Sequence, residues 1–249
     1  MGRLIQAENI VKCFREKKQR VLAVDHVSLH LDEGEILGII GESGSGKSTI
    51  LRLLSGIIQP DEGQVTLFGK SLDRKDRSRF RNIQMIFQDA RASFDKQYTI
   101  EQSLNEVRKH LNPNALENHF LLQEVGLDIS FANKYPHEMS GGECQRAAIA
   151  RALACDPKVL LCDEITSALD VITQEKICNL ITHLCHQHHI SAIFVSHDLP
   201  LISNLCNRVM IMKDGKVVEE GKTKEVMQNP QHPYTKELLR HIMKLETAE

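Results

Sequence analysis

The eight residues Gly41-Glu42-Ser43-Gly44-Ser45-Gly46-Lys47-Ser48 fill every fixed position of G-x-x-x-x-G-K-[ST]. An apolar run, Ile36 to Ile40, precedes them, and Ile50, Leu51 and Leu54 follow at helical spacing. That strand–loop–helix order constrains the fold more than the string does. The glycines let the backbone curl so that its N–H groups converge on an anion. The helix N-terminus adds favourable dipole charge. The loop therefore reads as a phosphate cradle in which Lys47 reaches the β- and γ-phosphates and the Ser48 hydroxyl ligates Mg²⁺. Gly41, Glu42, Ser43, Gly44, Ser45, Gly46, Lys47, Ser48 and Thr49 are its candidate nucleotide-binding residues.

Further along, Val159-Leu160-Leu161-Cys162-Asp163-Glu164 is an apolar run ending in two acids. A buried strand that ends in adjacent carboxylates is costly unless they are used. Asp163 is the expected Mg²⁺ ligand, and Glu164 the group that polarises an attacking water. Alternation along a strand turns neighbours to opposite faces, which predicts this division of labour.

The other segments fit around these two anchors. Strand-like runs occupy Leu4 to Phe14 and Val27 to Leu31, with a charged turn at Glu16 to Arg20. Val65, Leu67 and Phe68 read as an edge strand, and Ile83 to Phe87 as the next strand. From 99 to about 135 the period changes: Leu104, Val107 and Leu111, then Leu116, Phe120, Leu121 and Val125, recur as on helices. Then strands and helices alternate: a helix from Glu143 to about Cys155, a helix at 171–188, a strand from Ile190 to Val195, a strand from Arg208 to Met212, a hairpin punctuated by Gly215 and Gly221, and a helical tail from Thr223. Alternation of this kind predicts a mostly parallel sheet with helices on both faces. The expected class is an α/β P-loop NTPase core with an N-terminal antiparallel β subdomain and an inserted α-helical subdomain. The expected organisation is a single domain over 1–249, with the helical subdomain at about 90–155 and the C-terminal tail at about 223–249.

Composition excludes several classes. The chain has 249 residues, net charge −2 and 26% charged residues, so no basic excess points to nucleic acid. No apolar run approaches the roughly 20 residues of a bilayer span. If the protein serves a membrane, another chain crosses it. The N-terminus has no secretory h-region, and Gln6 breaks the myristoylation pattern that Gly2 begins. The seven cysteines lack a CxxC and read as buried hydrophobes in a reduced setting. His183, Cys185, His186, His188 and His189 crowd one helix end, as a solvated terminus or as a metal site.

Four further motifs narrow the class. Met139-Ser140-Gly141-Gly142-Glu143, leading into a helix with Gln145 and Arg146, resembles the LSGGQ signature of ABC ATPases. Ser167-Ala168-Leu169-Asp170 resembles their D-loop, Gln88 their Q-loop glutamine and His197 their switch histidine, all in the family's order. The resemblance implies an ATPase in which two cassettes sandwich two ATP molecules, one subunit's phosphate loop facing the other's signature. Ser140, Gly141 and Gly142 would then complete the partner's nucleotide site. Glu164 would be the general base, His197 would stabilise the γ-phosphate and attacking water, and Gln88 would sense the γ-phosphate and Mg²⁺. Phe14 sits where the family stacks an aromatic ring on adenine; plain core filling is the other reading. Glu143 and Met139 depart from the usual Gln and Leu, and Glu143 either faces the nucleotide or points away from it.

Three segments are similar to the peptide/nickel importer branch: Asn229 to Leu239, Tyr135-Pro136-His137-Glu138, and Phe87-Gln88-Asp89 with Ala92-Ser93-Phe94. The chain resembles that branch's shorter ATPase subunits. The branch implies a second, homologous ATPase as heterodimer partner, two transmembrane permease subunits and an extracellular solute-binding protein. It also implies a peripheral place on the cytoplasmic face of a bacterial cell membrane, with ATP and Mg²⁺ as ligands. The cargo is peptide, nickel, cobalt or a metal–chelator complex. A soluble regulator acting on ribosomes or nucleic acid, or a non-hydrolysing sensor, would be the alternatives. The single cassette and the presence of both Glu164 and His197 count against them.

Overall fold

The computed structural model describes residues 2–16, 19–72, 79–165 and 169–246. The chain packs as two compact units, Met1–Arg74 with Ser191–Glu249, and Lys75–Ile190. The first unit opens with β1 (Arg3–Glu16) and β2 (Gln19–Asp32), an antiparallel ribbon in which Glu16 faces Gln19. Of the expected charged turn, Lys17 and Lys18 lie outside the described residues. Ile5, Ala7, Ile10, Val24, Val27 and Leu29 are buried from the ribbon. β3 (Ile36–Ile40) is buried at every residue, the mark of a strand covered on both faces. α1 (Lys47–Leu54) follows and buries Ile50, Leu51, Leu53 and Leu54. β4 (Glu62–Leu67) pairs with β1 on one side and β5 (Lys70–Ser71) on the other, giving the order β2-β1-β4-β5. Val65 and Leu67 therefore lie one strand in from the edge, and Phe68 is outside the strand. Its φ of 50 and exposed ring place it in the turn to β5.

The second unit contains α2 (Arg79–Asn82), β6 (Ile83–Ile86), α3 (Ile100–His110), α4 (Asn118–Glu124), α5 (Gly141–Leu153), β7 (Val159–Asp163) and α6 (Val171–His188). β6 and β7 run parallel, Ile83 opposite Val159. A Thr99–Gln102 capping box starts α3, which buries Ile100, Leu104 and Val107. α4 buries Leu121 and Leu122, while Leu116 and Phe120 are about half exposed at 49% and 50%. The helical spacing from Leu116 to Phe120 is interrupted, because α4 begins only at Asn118. α5 begins at Gly141, two residues ahead of Glu143.

The chain then returns to the first unit with β8 (Ser191–Ser196), α7 (Leu199–Leu205), β9 (Arg208–Lys213), β10 (Lys216–Lys222), α8 (Thr223–Gln228) and α9 (Pro233–Glu246). β8 and β9 flank β3 in parallel, and β10 returns antiparallel to β9. Gly215 makes that hairpin's turn; Gly221 lies within β10 opposite Val209. Arg208 anchors the start of β9: its guanidinium reaches Glu35 Oε1 at 2.7 Å, the His30 carbonyl at 2.6 Å and the Glu220 carboxylate. β3, buried between two parallel neighbours, holds the phosphate loop at its carboxyl end, where ligands bind in sheets of this kind.

Candidate nucleotide site

The loop between β3 and α1 is shaped by what it cannot accommodate. A Cβ at Gly41 would stand 2.3 Å from the Met212 carbonyl oxygen, and one at Gly46 2.2 Å from that of Ala23. Gly46 also carries φ +101 at the N-cap of α1. Lys47 is only 3% exposed. Its ammonium donates to the Gly41 carbonyl at 2.8 Å and the Glu42 carbonyl at 2.9 Å. The Glu42 carbonyl also accepts from Ser45 N–H at 3.2 Å. The buried Ser45 hydroxyl has no hydrogen-bond partner among the described residues. A buried cation beside an orphaned hydroxyl, in a loop that excludes side chains, fits an anionic phosphate group. Ser48 and Thr49 are half-buried in the first turn of α1.

Three more residues of the same unit belong here. His197 is exposed just past the end of β8. The next residue is fixed: Asp198 N–H donates to Ser196 Oγ at 2.9 Å, and its carboxylate caps α7 at Leu201 N–H. Phe14 lies opposite Val21 on β1, half-buried rather than in the core, with Lys12 Nζ 5.9 Å from its ring centroid. Tyr234, at the start of α9, is 4% exposed, and its hydroxyl accepts from Glu42 N–H at 3.2 Å.

The second unit carries the remaining candidates. Asp163 is the last residue of β7 and is 7% exposed. Glu164 lies beyond the strand, half-buried, with φ 44 in the left-handed region. Its direction is set by this kink rather than by strand alternation, which corrects the geometric basis given to the pair. A left-handed glutamate stores strain of order 1 kcal/mol or more, and such positions cluster at functional sites. Gln88 is exposed two residues past β6. Its segment is tied to the signature: Arg91 donates to the Met139 carbonyl at 2.5 Å. Arg151 of α5 donates to the Ser93 carbonyl at 2.7 Å, and its guanidinium lies 4.2 Å over the Phe94 ring.

At the signature, Ser140 is the N-cap of α5. Glu143 N–H donates to Ser140 Oγ at 3.3 Å and Ser140 N–H to Glu143 Oε2 at 2.8 Å, a reciprocal capping box. The Ser140 backbone bond, then its hydroxyl, holds the Glu143 carboxyl below its usual range. Glu143 therefore caps its own helix, a task the more usual Gln performs equally well. The first-turn N–H groups of Gly141 and Gly142 have no acceptor a turn back and suit an anion. A Cβ at Gly142 would come within 2.9 Å of Thr173 Cγ2 on α6. In the D-loop motif Ser167 and Ala168 lie outside the described residues; Leu169 accepts from Gln174 Nε2 at 3.0 Å, and Asp170 caps α6. Gln88, Arg91, Gly141, Cys144, Gln145 and Leu169 share the walls of a cavity of about 490 Å³.

The histidine-rich end of α6 does not converge. Burial pushes the Cys185 thiol up to about 12, His188 Nε2 lies 3.1 Å from Glu124 Oε2, and His189 is the left-handed C-cap. Among the described residues no cluster of His, Cys, Asp and Glu is arranged to hold a metal ion. Six of the cysteines are buried; Cys13 is exposed.

Residues 24–167, more than half the chain, match the ABC transporter family model. The chain belongs to the ABC transporter ATP-binding family. In this cassette, residues 218–249 also match the oligopeptide/dipeptide transporter C-terminal region. The oligopeptide transport ATP-binding protein OppF of Salmonella typhimurium is 41% identical over 236 residues, covering 91% of this chain and 71% of that protein. The methionine import ATP-binding protein MetN 1 of Oceanobacillus iheyensis is 38% identical over 254 residues, 99% of this chain and 74% of that one. Among solved structures, the dimeric bacterial ABC transporter cassette MJ0796 superposes with TM-score 0.80 at 31% identity, covering 88% of this chain and 99% of the other. The same cassette in a post-hydrolysis state with ADP and Pi superposes with TM-score 0.77. The α/β P-loop NTPase fold and the ATPase activity expected from sequence both stand. Among the described residues no helix is long and apolar enough to cross a membrane.

The sequence reading passed over three contributors to the site. The Ser140–Glu143 box was signalled by its S-x-x-E spacing. Arg91 and the Tyr234–Glu42 bond had no local signal, since their partners are 48 and 192 residues away.

Proposed function

We propose that this cassette is the ATP-hydrolysing subunit of an importer whose cargo is oligo- or dipeptides. One observation carries the cargo assignment: its C-terminal 218–249 matches a region characteristic of oligopeptide/dipeptide transporters. OppF relatives at about 40% identity support it, and no observation favours nickel or cobalt over peptide. The subunit works as half of a pair, with a homologous ATPase as the other half, beneath two transmembrane permeases fed by an extracellular solute-binding protein. It is a peripheral protein on the cytoplasmic face of a bacterial cell membrane. Residues 1–249 act as one nucleotide-binding domain with a helical subdomain at about 90–155 and a tail from about 223.

The roles follow from chemistry already described. The loop Gly41–Thr49 binds the triphosphate, with Lys47 presenting its ammonium to phosphate oxygens and Ser45 donating its unused hydroxyl. Phe14 stacks on adenine. Ser48, Gln88 and Asp163 are the residues to hold Mg²⁺, which screens the phosphate charge when bound. Glu164 takes the proton from the attacking water, and His197 holds the γ-phosphate. Ser140, Gly141 and Gly142 present a helix N-terminus to the nucleotide bound by the partner subunit. ATP closes the pair and hydrolysis releases it.

The reading is tested in cells that carry the cognate permeases. Wild type should support uptake of a radiolabelled tripeptide, and Glu164→Gln should abolish it while the protein still binds ATP. Uptake of nickel but not peptide would overturn the cargo assignment.

A further inference from the structure

The Pro-Tyr-Thr tail touches the phosphate loop. Glu42 N–H, which opens the loop, is directed to Tyr234 Oη at 3.2 Å. The same residue's carbonyl accepts from Lys47 Nζ at 2.9 Å and Ser45 N–H at 3.2 Å. Glu42 is thus held at both ends, by the tail and by the lysine that would meet the phosphates.

Tyr234 is itself held in several directions. It is 4% exposed, and Lys213 Nζ lies 4.6 Å from its ring centroid. The start of α9 is anchored through Glu219 on β10, which accepts from Gln231 N–H at 2.7 Å and His232 N–H at 3.0 Å. A carboxylate at these N–H groups stabilises the helix end that carries Tyr234. Burial alone would push the Glu219 carboxyl up, but its bonds from the Gln231 and His232 N–H groups help to outweigh it and hold the group below its ordinary range.

We propose that Tyr234 is a positioning residue of the ATPase: its hydroxyl fixes the Glu42 peptide, and through it the Lys47 ammonium, in the geometry that receives the triphosphate. The segment matching oligopeptide/dipeptide transporters therefore acts inside its own subunit, on nucleotide affinity. Displacing α9 from Glu219 releases the loop and weakens ATP binding. This deepens the site assignment above and rests on loop 41–48 being the triphosphate site.

Tyr234→Phe tests it, because the ring, its burial and the Lys213 contact are retained and only the hydroxyl is lost. A neutral hydrogen bond is worth roughly 1 kcal/mol, which is about fivefold in an equilibrium constant. The variant should bind fluorescent mant-ATP about fivefold more weakly, and raise the KM for ATP by a similar factor with kcat changed less than about twofold. Without nucleotide, hydrogen exchange at the Glu42 amide should accelerate by a similar factor. Glu219→Ala, which frees α9 but leaves the tyrosine, should weaken binding in the same direction. A Tyr234→Phe protein with wild-type mant-ATP affinity and wild-type Glu42 exchange overturns the proposal, whatever its melting temperature. Wild type that fails to bind mant-ATP, or binds it equally well with Lys47→Ala, would instead overturn the site assignment. The Glu42 exchange result stands apart from that outcome.

Discussion

Glu164 follows a fully buried strand in a backbone conformation unusual for a residue with a side chain. That strain is tolerable where the carboxylate's position matters more than local stability. Glu164→Gln keeps the shape and removes the base, so phosphate release should fall at least about a hundredfold, the ordinary worth of a positioned base, with ATP affinity unchanged in a titration. The reciprocal case is Gly41→Ala. Its Cβ would fall 2.3 Å from the Met212 carbonyl oxygen, a backbone atom that cannot swing away. The loop must shift, and mant-ATP binding should be largely lost while circular dichroism retains the native secondary structure. At this scale the phosphate loop was legible because its chemistry is local: glycines, lysine and serine lie within eight consecutive residues. Glu164 was legible as a residue but not as a geometry, since a left-handed kink leaves no mark on the string.

Among the elements, α5 carries the signature and depends on its first turn. Glu143→Ala removes half of the Ser140 capping box and should cost about 1 kcal/mol, read by chemical denaturation. Glu143→Gln should restore it. The pH dependence of the tail belongs here too. Glu219 has a folded pKa depressed below its ordinary 4.5. A depressed carboxylate contributes stability that is fully present above the unfolded value and is lost as pH falls through the lowered folded value. Glu219→Gln should therefore flatten the fall in stability on acidification below 4.5, measured by urea unfolding across that range. Element types were mostly readable, because hydrophobic period and turn residues act over a few positions. α6 was placed at 171–188 and is found there. The misreadings arose where tertiary pairing decides. β5, two residues long, moves β4 off the edge, and Phe68 reads as a strand residue until the turn to β5 expels it.

At the scale of the molecule, the chain divides its chemistry between two units: the phosphate loop, His197 and Tyr234 in one, Gln88, the signature and the acidic pair in the other. Motif order announced both sets but not the discontinuous first unit, whose segments are separated by more than a hundred residues. The inward reach of the tail was equally hidden, since the partners of a long-range hydrogen bond need no mutual sequence pattern. The signature also predicts assembly. Ser140→Arg should leave each subunit able to bind ATP but abolish ATP-dependent association of the paired cassettes in analytical ultracentrifugation. The claim that supports all of these is that loop 41–48 holds the triphosphate. It is tested by isothermal titration of ATP with Mg²⁺ into Glu164→Gln and into the double variant that adds Lys47→Ala. A saturable, one-site isotherm in the first and at least about a tenfold loss of affinity in the second, about 1.4 kcal/mol or more, is the predicted result. Equal affinity in both would contradict it.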